Sequence, residues 1–227
     1  MHCIALIPAR GGSKGIKRKN CVDLHGKPLI AWTIDAAKAE RTFASVVVST
    51  DDAEIANIAS QYGATALDRP PEFATDDATA LDVVRHAFDS YADCDVIAYL
   101  QPTSPFRRAR HLAEATTLIH QCDTVVSVMP VPHRMVPGSL MRLEGNHLEF
   151  MSEAGERIFQ RQRKETLYAR NGPSILMVKR ETVEKENSLY GARIMPLMMD
   201  SLHSIDIDTM EDLEIARALC PLFLAKE

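Results

Sequence analysis

Short apolar, β-branched runs alternate with stretches of helical period along most of this chain, and that alternation leaves few architectures open. Cys3 to Ile7, Ser45 to Thr50, Val96 to Leu100, Thr124 to Val128 and Ser174 to Val178 each read as strands. Most lack the polar–apolar alternation of a half-exposed strand, so both faces are expected to be covered, as in a parallel sheet between helical layers. Ala64 to Leu67 is expected as a shorter strand. Helical period appears from Leu29 to Ala37 behind Pro28, from the capping pair Asp51-Asp52 to about Tyr62, over 79–91, over 110–121, and from Met210 to about Leu219. These segments predict one domain over residues 1–227 with a three-layer α/β/α, Rossmann-like fold and a mostly parallel sheet. Ligands of such sheets bind beyond the carboxyl ends of the strands.

The pattern lapses between residues 130 and 170. Pro130, Pro132 and Pro137, mixed polarity and the cations Arg157, Arg161, Arg163, Lys164 and Arg170 mark an excursion from the sheet. It is expected to be either an ordered hairpin lobe or a long functional loop.

Charge and composition narrow the partners. There are 26 Lys and Arg against 31 Asp and Glu, a formal net charge of −5. That balance argues against a nucleic acid or a membrane surface, which call for broad basic faces. No apolar stretch approaches the roughly 20 residues of a membrane span. The 5 cysteines are scattered without CxxC spacing, so they are expected to be reduced thiols of a cytoplasmic protein. No secretory leader is evident and the fold takes up the whole length, so a fused second enzymatic domain is not expected.

Residues Ile7-Pro8-Ala9-Arg10-Gly11-Gly12-Ser13-Lys14-Gly15-Ile16-Lys17-Arg18-Lys19-Asn20 follow the first strand. Their glycines let backbone amides approach an anion, and Lys14, Lys17, Arg18 and Lys19 crowd the next stretch. The order is neither that of the P-loop, because Lys14 precedes Gly15, nor GxGxxG. Cations this close repel one another unless an anion or neighbouring carboxylates compensate them. The loop therefore reads as a cradle for a highly charged phosphate chain.

Other positions carry chemistry more ambiguously. Gln101, offering both donor and acceptor, ends a strand and is stiffened by Pro102 and Pro105. Asp206 and Asp208 stand two apart in an extended segment, so their carboxylates are expected on one side. Beside a triphosphate they would suit Mg2+; alternatively one of them caps the last helix alongside Thr209. Asp212 reads as a solvated helix residue. Thr79, after Asp76 and Asp77, is either a helix cap or a ligand contact. Trp32 reads as core, Met198-Met199 as strand packing, and His133 as a loop residue at an interface.

Taken together and in order, these motifs resemble the acylneuraminate cytidylyltransferases, also called CMP-sialic acid or CMP-nonulosonate synthetases. The resemblance runs through Ile7–Asn20, Ser49-Thr50-Asp51-Asp52, Arg69-Pro70, Leu100-Gln101-Pro102-Thr103-Ser104-Pro105, Asn171-Gly172 and Ser204-Ile205-Asp206-Ile207-Asp208-Thr209, almost the whole chain. It implies a nucleotidyltransferase fold and a reaction between CTP and a nonulosonic acid of the N-acetylneuraminic, legionaminic or pseudaminic type. It implies Mg2+, with Mn2+ as the alternative, and a homodimer built through the 130–170 excursion. By the same resemblance Arg10, Lys19 and Asp208 are the catalytic residues. The nucleotide is held by Ala9, Arg10, Gly11, Gly12, Ser13, Lys14, Lys19, Asn20 and Arg69, and the metal by Asp206 and Asp208. Thr79, Gln101, Arg161 and Asn171 meet the sugar, with Arg161 reaching a neighbouring subunit's site to pair with the sugar carboxylate.

Departures from the family pattern gather on the sugar side. Pro173-Ser174-Ile175 follows Asn171-Gly172, Arg163-Lys164-Glu165 replaces a Leu-Pro pair, and Pro132-His133-Arg134 lacks a lysine seen in some sialic acid enzymes. In the cradle, Lys17 stands where a proline is usual. Two other readings stay open. One is a synthetase for the eight-carbon acid of lipopolysaccharide, which shares Ile-Pro-Ala-Arg. The other is a non-catalytic nucleotide sensor on the same fold, against which the intact Arg10, Lys19, Asp206 and Asp208 argue.

Overall fold

The computed structural model describes residues 1–151, 166–172 and 174–225. In chain order the elements are β1 (Cys3–Pro8), β2 (Asp23–Leu24), β3 (Lys27–Pro28), α1 (Leu29–Ala39), β4 (Ser45–Thr50), α2 (Ala53–Gln61), β5 (Thr65–Asp68), α3 (Ala80–Ser90), β6 (Val96–Tyr99) and α4 (Ala109–Leu118). They continue with β7 (Thr124–Pro130), β8 (Met141–Glu144), β9 (His147–Phe150), β10 (Tyr168–Arg170), β11 (Leu176–Lys179), α5 (Arg180–Glu186), β12 (Ile194–Met198) and α6 (Met210–Leu224).

One sheet of eight strands runs β10-β7-β11-β6-β1-β4-β5, with β12 also paired to β7. β1 lies parallel to both β4 and β6, and β5 is parallel to β4. Two strands run against the others: β11 is antiparallel to both β6 and β7, and β10 is antiparallel to β7. Val128 pairs with both Arg170 and Met198, so β10 and β12 occupy opposite edges of β7. β10 and β11 therefore follow one another along the same edge.

The expected three layers follow from the strand pleat. Cys3, Ala5 and Ile7 of β1 enter one apolar cluster with residues of α1, α2 and α4, while Ile4 and Leu6 enter another with residues of α3 and α5. Alternate side chains thus bury against opposite helical layers, and each fully buried Leu or Ile contributes roughly 1.5–3 kcal/mol. Local signals set several ends. Asp52 accepts the Glu54 and Ile55 N–H groups and caps α2, a contact whose loss typically costs about 1 kcal/mol. β2 and β3 turn through His25 and Gly26, both at positive φ, the geometry of a two-residue hairpin.

α6 extends beyond the expected Leu219, through Pro221 to Leu224. A proline removes one helical hydrogen bond, but Phe223 beyond it stacks on Phe106 at 4.7 Å and meets the Trp32 ring edge-on at 6.0 Å. That packing holds the last turn and places Trp32 in the core, as expected. Of the methionine pair, Met199 is buried and Met198 exposed.

Within 130–170, β8 and β9 form an antiparallel hairpin whose residues are all exposed. β10 returns the chain to β7, with the Val131 N–H donating to the Leu167 carbonyl at 2.8 Å.

Candidate active site

A cleft of about 540 Å³ opens beyond the carboxyl ends of β1, β5 and β6. The loop after β1 forms one wall. Its fold is fixed from within and from the neighbouring strand. Asn20 Nδ2 donates to the Arg10 carbonyl at 3.1 Å, the Ala9 N–H donates to the Ser49 carbonyl at 2.9 Å, and the Gly11 N–H donates to Asp51 Oδ1 at 2.9 Å. Gly15 is required sterically, because a Cβ there would stand 2.3 Å from the Asp208 carbonyl oxygen.

Carboxylates compensate the crowded cations. Arg10 Nη2 and Lys14 Nζ reach the two oxygens of Asp76, each at 2.7 Å. Arg18 pairs with Asp52 at 3.2 Å and with Glu54. Lys19 Nζ lies 3.0 Å from Asp208 Oδ1. Hydrogen bonds from Lys14 and Arg10 hold the Asp76 carboxyl below the usual carboxylate range. Solvent-exposed pairs of this kind are screened by water and contribute little to stability, so an incoming polyanion exchanges for them at small cost.

Arg10, Gly12, Ser13, Lys14, Lys19 and Asn20 line this cleft, and Arg69 joins them from the loop after β5. Ala9 and Gly11 stand behind the wall. Arg69 is buried; its Nε donates to Ser49 Oγ at 3.0 Å and its Nη2 to the Ser49 carbonyl at 2.7 Å. These two hydrogen bonds hold the guanidinium in place, and burial lowers its pKa, so its charged form favours an anionic neighbour.

Gln101, Thr103 and Thr79 line the same cleft. Thr79 is also the cap of α3: its hydroxyl accepts the Asp82 N–H at 3.2 Å while Asp82 accepts the Thr79 N–H at 2.8 Å. Asn171 is placed elsewhere than expected. It is 4% exposed, accepts from Ser127 Oγ at 2.5 Å and donates to Ser204 Oγ at 2.8 Å. With its amide spent between β7 and the segment before α6, it joins those elements and does not line the cleft. Arg161, with Arg157, Arg163, Lys164 and Pro173, lies outside the described residues.

Asp206 and Asp208 have different surroundings. Asp208 lines the cleft with its side chain 71% exposed. Asp206 is half-buried, accepts from Ser104 Oγ at 3.4 Å, and is pushed up in pKa chiefly by burial, with the Asp208 charge adding to the shift. Between them the Ile207 N–H donates to the Thr103 carbonyl at 2.8 Å, which keeps the segment extended against the Gln101 turn. No group of three or more His, Cys, Asp or Glu side chains arranged to hold a metal occurs among the described residues. The pair still fits Mg2+, which characteristically takes one or two carboxylates and completes its shell with phosphate oxygens and water. Asp212 corrects an expectation: it closes a capping box with Thr209 and accepts the Asp208 N–H at 3.1 Å. The cap of α6 is thereby filled by Thr209 and Asp212, and not by Asp206 or Asp208.

Arg107 did not stand out in the sequence. It is 1% exposed, with Nη1 donating to Thr33 Oγ1 at 2.7 Å and Nη2 to the Gln101 carbonyl. In sequence it opens Arg107-Arg108-Ala109-Arg110, which reads as the solvated start of a helix. The available signal was the absence of any acid within four residues of it, directly after a rigid turn.

A family model for cytidylyltransferases matches residues 4–225. The N-acylneuraminate cytidylyltransferase of Escherichia coli O18:K1:H7 (strain RS218 / NMEC) is 36% identical over 215 residues, which is 94% of this chain and 51% of that protein. Relatives of the same name from Streptococcus agalactiae have a similar extent, so the chain spans about half the length of these curated relatives. The CMP-N,N'-diacetyllegionaminic acid synthase of Legionella pneumophila subsp. pneumophila is 34% identical over 98% of this chain and 97% of its own length. Among solved structures, a CMP:2-keto-3-deoxy-manno-octonic acid synthetase complexed with CTP superposes with a TM-score of 0.75, covering 98% of this chain and 99% of that one at 18% identity. That likeness concerns the fold.

Proposed function

This chain belongs to the cytidylyltransferase family, and from that premise we propose that it transfers CMP from CTP to the anomeric 2-hydroxyl of a nonulosonic acid. The acceptor oxygen attacks the α-phosphorus, the bond to the bridging oxygen breaks, and pyrophosphate leaves with the electron pair. The hydroxyl proton passes to water held by Asp208. One observation carries the reading: Arg10, Lys14 and Lys19 line a single cleft together with Gln101 and Asp208. The cations neutralise and orient a triphosphate while Gln101 offers an amide to a polyhydroxy acid. Catalysis of this class rests on such positioning and charge stabilisation.

Asp206 and Asp208 are the residues that would hold Mg2+ or Mn2+, which when bound neutralises phosphate charge. Relatives at 34–36% identity are named for nine-carbon acids, which favours that acceptor class over the eight-carbon one. The exposed apolar side chains of the β8–β9 hairpin, among them Leu143, Leu148 and Phe150, support a homodimer formed through this lobe. In that dimer Arg161 of one subunit meets the acceptor carboxylate in the other. None of the described helices is long and apolar enough to cross a membrane.

Pyrophosphate release from CTP, measured with N-acetylneuraminic, N,N'-diacetyllegionaminic, pseudaminic and eight-carbon keto acids, tests the reaction. Release is expected with a nine-carbon acid. CTP binding without release in any of these mixtures would overturn catalysis in favour of a nucleotide sensor.

A further inference from the structure

Arg107 is a buried cation held by neutral oxygens. Among the described residues no carboxylate forms an ion pair with it, and its Nε has no partner. An unpaired charge in such a place is costly. Burial pushes the guanidinium down from 12.5 to about 9, against an opposing pull from the Asp206 charge, which acts from beyond hydrogen-bonding contact. Hydrogen bonds from a cation are roughly twice as strong as neutral ones, so the two oxygens that Arg107 reaches are held firmly. One is Thr33 Oγ1 on α1, fully buried, and the other is the carbonyl of Gln101.

That carbonyl is pinned from a neighbouring hollow. Arg107 lines this hollow between α1, α4 and α6 and is not part of the cleft wall, whereas Gln101 is. The same carbonyl accepts the Ser104 N–H at 3.4 Å, and Pro102 confines Gln101 to extended backbone. With the peptide plane fixed and the backbone restricted, the direction in which the Gln101 side chain leaves the backbone is fixed, and a hydrogen bond with the buried Tyr99 hydroxyl holds its amide end.

We propose that Arg107 is a positioning residue that aims Gln101 at the acceptor by clamping its backbone carbonyl to α1. This deepens the function proposed above and rests on Gln101 as an acceptor contact.

The test uses the full chain with Arg107→Met, Arg107→Lys, Thr33→Val and Gln101→Ala. Two readouts are taken: the NMR signals of the Gln101 side-chain amide, which need no turnover, and steady-state pyrophosphate release. In Arg107→Met the amide signals should shift and broaden. The acceptor KM should rise about tenfold while the CTP KM changes less than about twofold. Arg107→Lys should recover part of the loss, and Thr33→Val should show a smaller effect in the same direction. In the Gln101→Ala background, Arg107→Met should change the acceptor KM by less than about twofold, since the two act through one contact. Unchanged amide signals, equal losses for both substrates, or independent multiplicative effects would overturn the assignment. If Arg107→Met does not fold, Arg107→Lys and Thr33→Val carry the same comparisons. A wild type that releases no pyrophosphate would sink the reaction, while the amide signals would still judge the clamp.

Discussion

Lys19 and Asp208, 189 residues apart in the chain, meet at 3.0 Å and tie the loop after β1 to the segment before α6. The same two segments touch again where Gly15 backs onto the Asp208 carbonyl. The cation proposed to neutralise the triphosphate is thus oriented by the carboxylate proposed to serve the acceptor. Replacing Lys19 with Met should lower the rate of pyrophosphate release about 10²–10³-fold, the usual effect of losing a transition-state charge contact. Stability should change by less than about 1 kcal/mol, because the pair is exposed on the Asp208 side. A rate within about tenfold of wild type would remove Lys19 from the reaction.

Gly15 and Gly12 should differ under the same substitution. Gly15→Ala drives a methyl into the Asp208 backbone, whereas a Cβ at Gly12 meets nothing within 4 Å. Gly15→Ala should cost about 1–3 kcal/mol in urea unfolding and reduce turnover about tenfold or more by displacing Asp208. Gly12→Ala should stay within about 0.5 kcal/mol.

Asp76 holds Arg10 and Lys14 at positions assigned to the triphosphate. Asp76→Asn removes that competitor and should tighten CTP binding about three- to tenfold at low salt, a gain that shrinks as ionic strength rises. Calorimetric titration measures it. Unchanged or weaker binding would mean that these two cations do not meet the phosphates.

His111 makes stability pH-dependent. Its Nδ1 accepts the Arg108 N–H at 3.1 Å at the start of α4. Burial, followed by the nearby His203 and Arg110 charges, pushes the ring down from 6.5 to about 4, against an opposing pull from Asp200. The folded-state value is depressed, so the contribution is complete above the unfolded value near 6.5. It is lost as pH falls toward 4, where the unfolded chain takes up the proton first. The full loss is about 3 kcal/mol. Urea unfolding at pH 7 and pH 4.5 should show a smaller acid loss for His111→Asn, which keeps an acceptor but cannot titrate. Equal losses in both proteins would refute this account.

Leu143 and Leu148 face each other across the β8–β9 hairpin and are 67% and 58% exposed. Charging both, as Leu143→Glu with Leu148→Glu, should convert a dimer into a monomer in light scattering at micromolar concentration. An unchanged mass would locate any dimer contact elsewhere.

The sheet was legible because strands buried on both faces carry unbroken apolar runs, and β4 matches its sequence segment from Ser45 to Thr50. Strand direction was not legible, since the apolar run leading into β11 looks the same whichever way it runs. Nor could period reveal β8 and β9, whose exposed faces impose no alternation. In the cleft, the cradle was readable because glycines and cations there answer to local needs. Arg107 and Asn171 were not, because a polar residue's burial depends on partners distant in the chain, Thr33 for one and Ser204 for the other.

The neck at Val131 and Leu167 has a consequence for descent. The chain leaves and rejoins at neighbouring positions of β7, with Tyr168 opposite Pro130. A segment rooted that way is a cassette. A change in its length or sequence need not move the register of β1, β4 and β6 beneath the cradle. Chimeras between relatives cut at this neck should therefore keep the CTP binding proposed above while taking on the donor's acceptor preference.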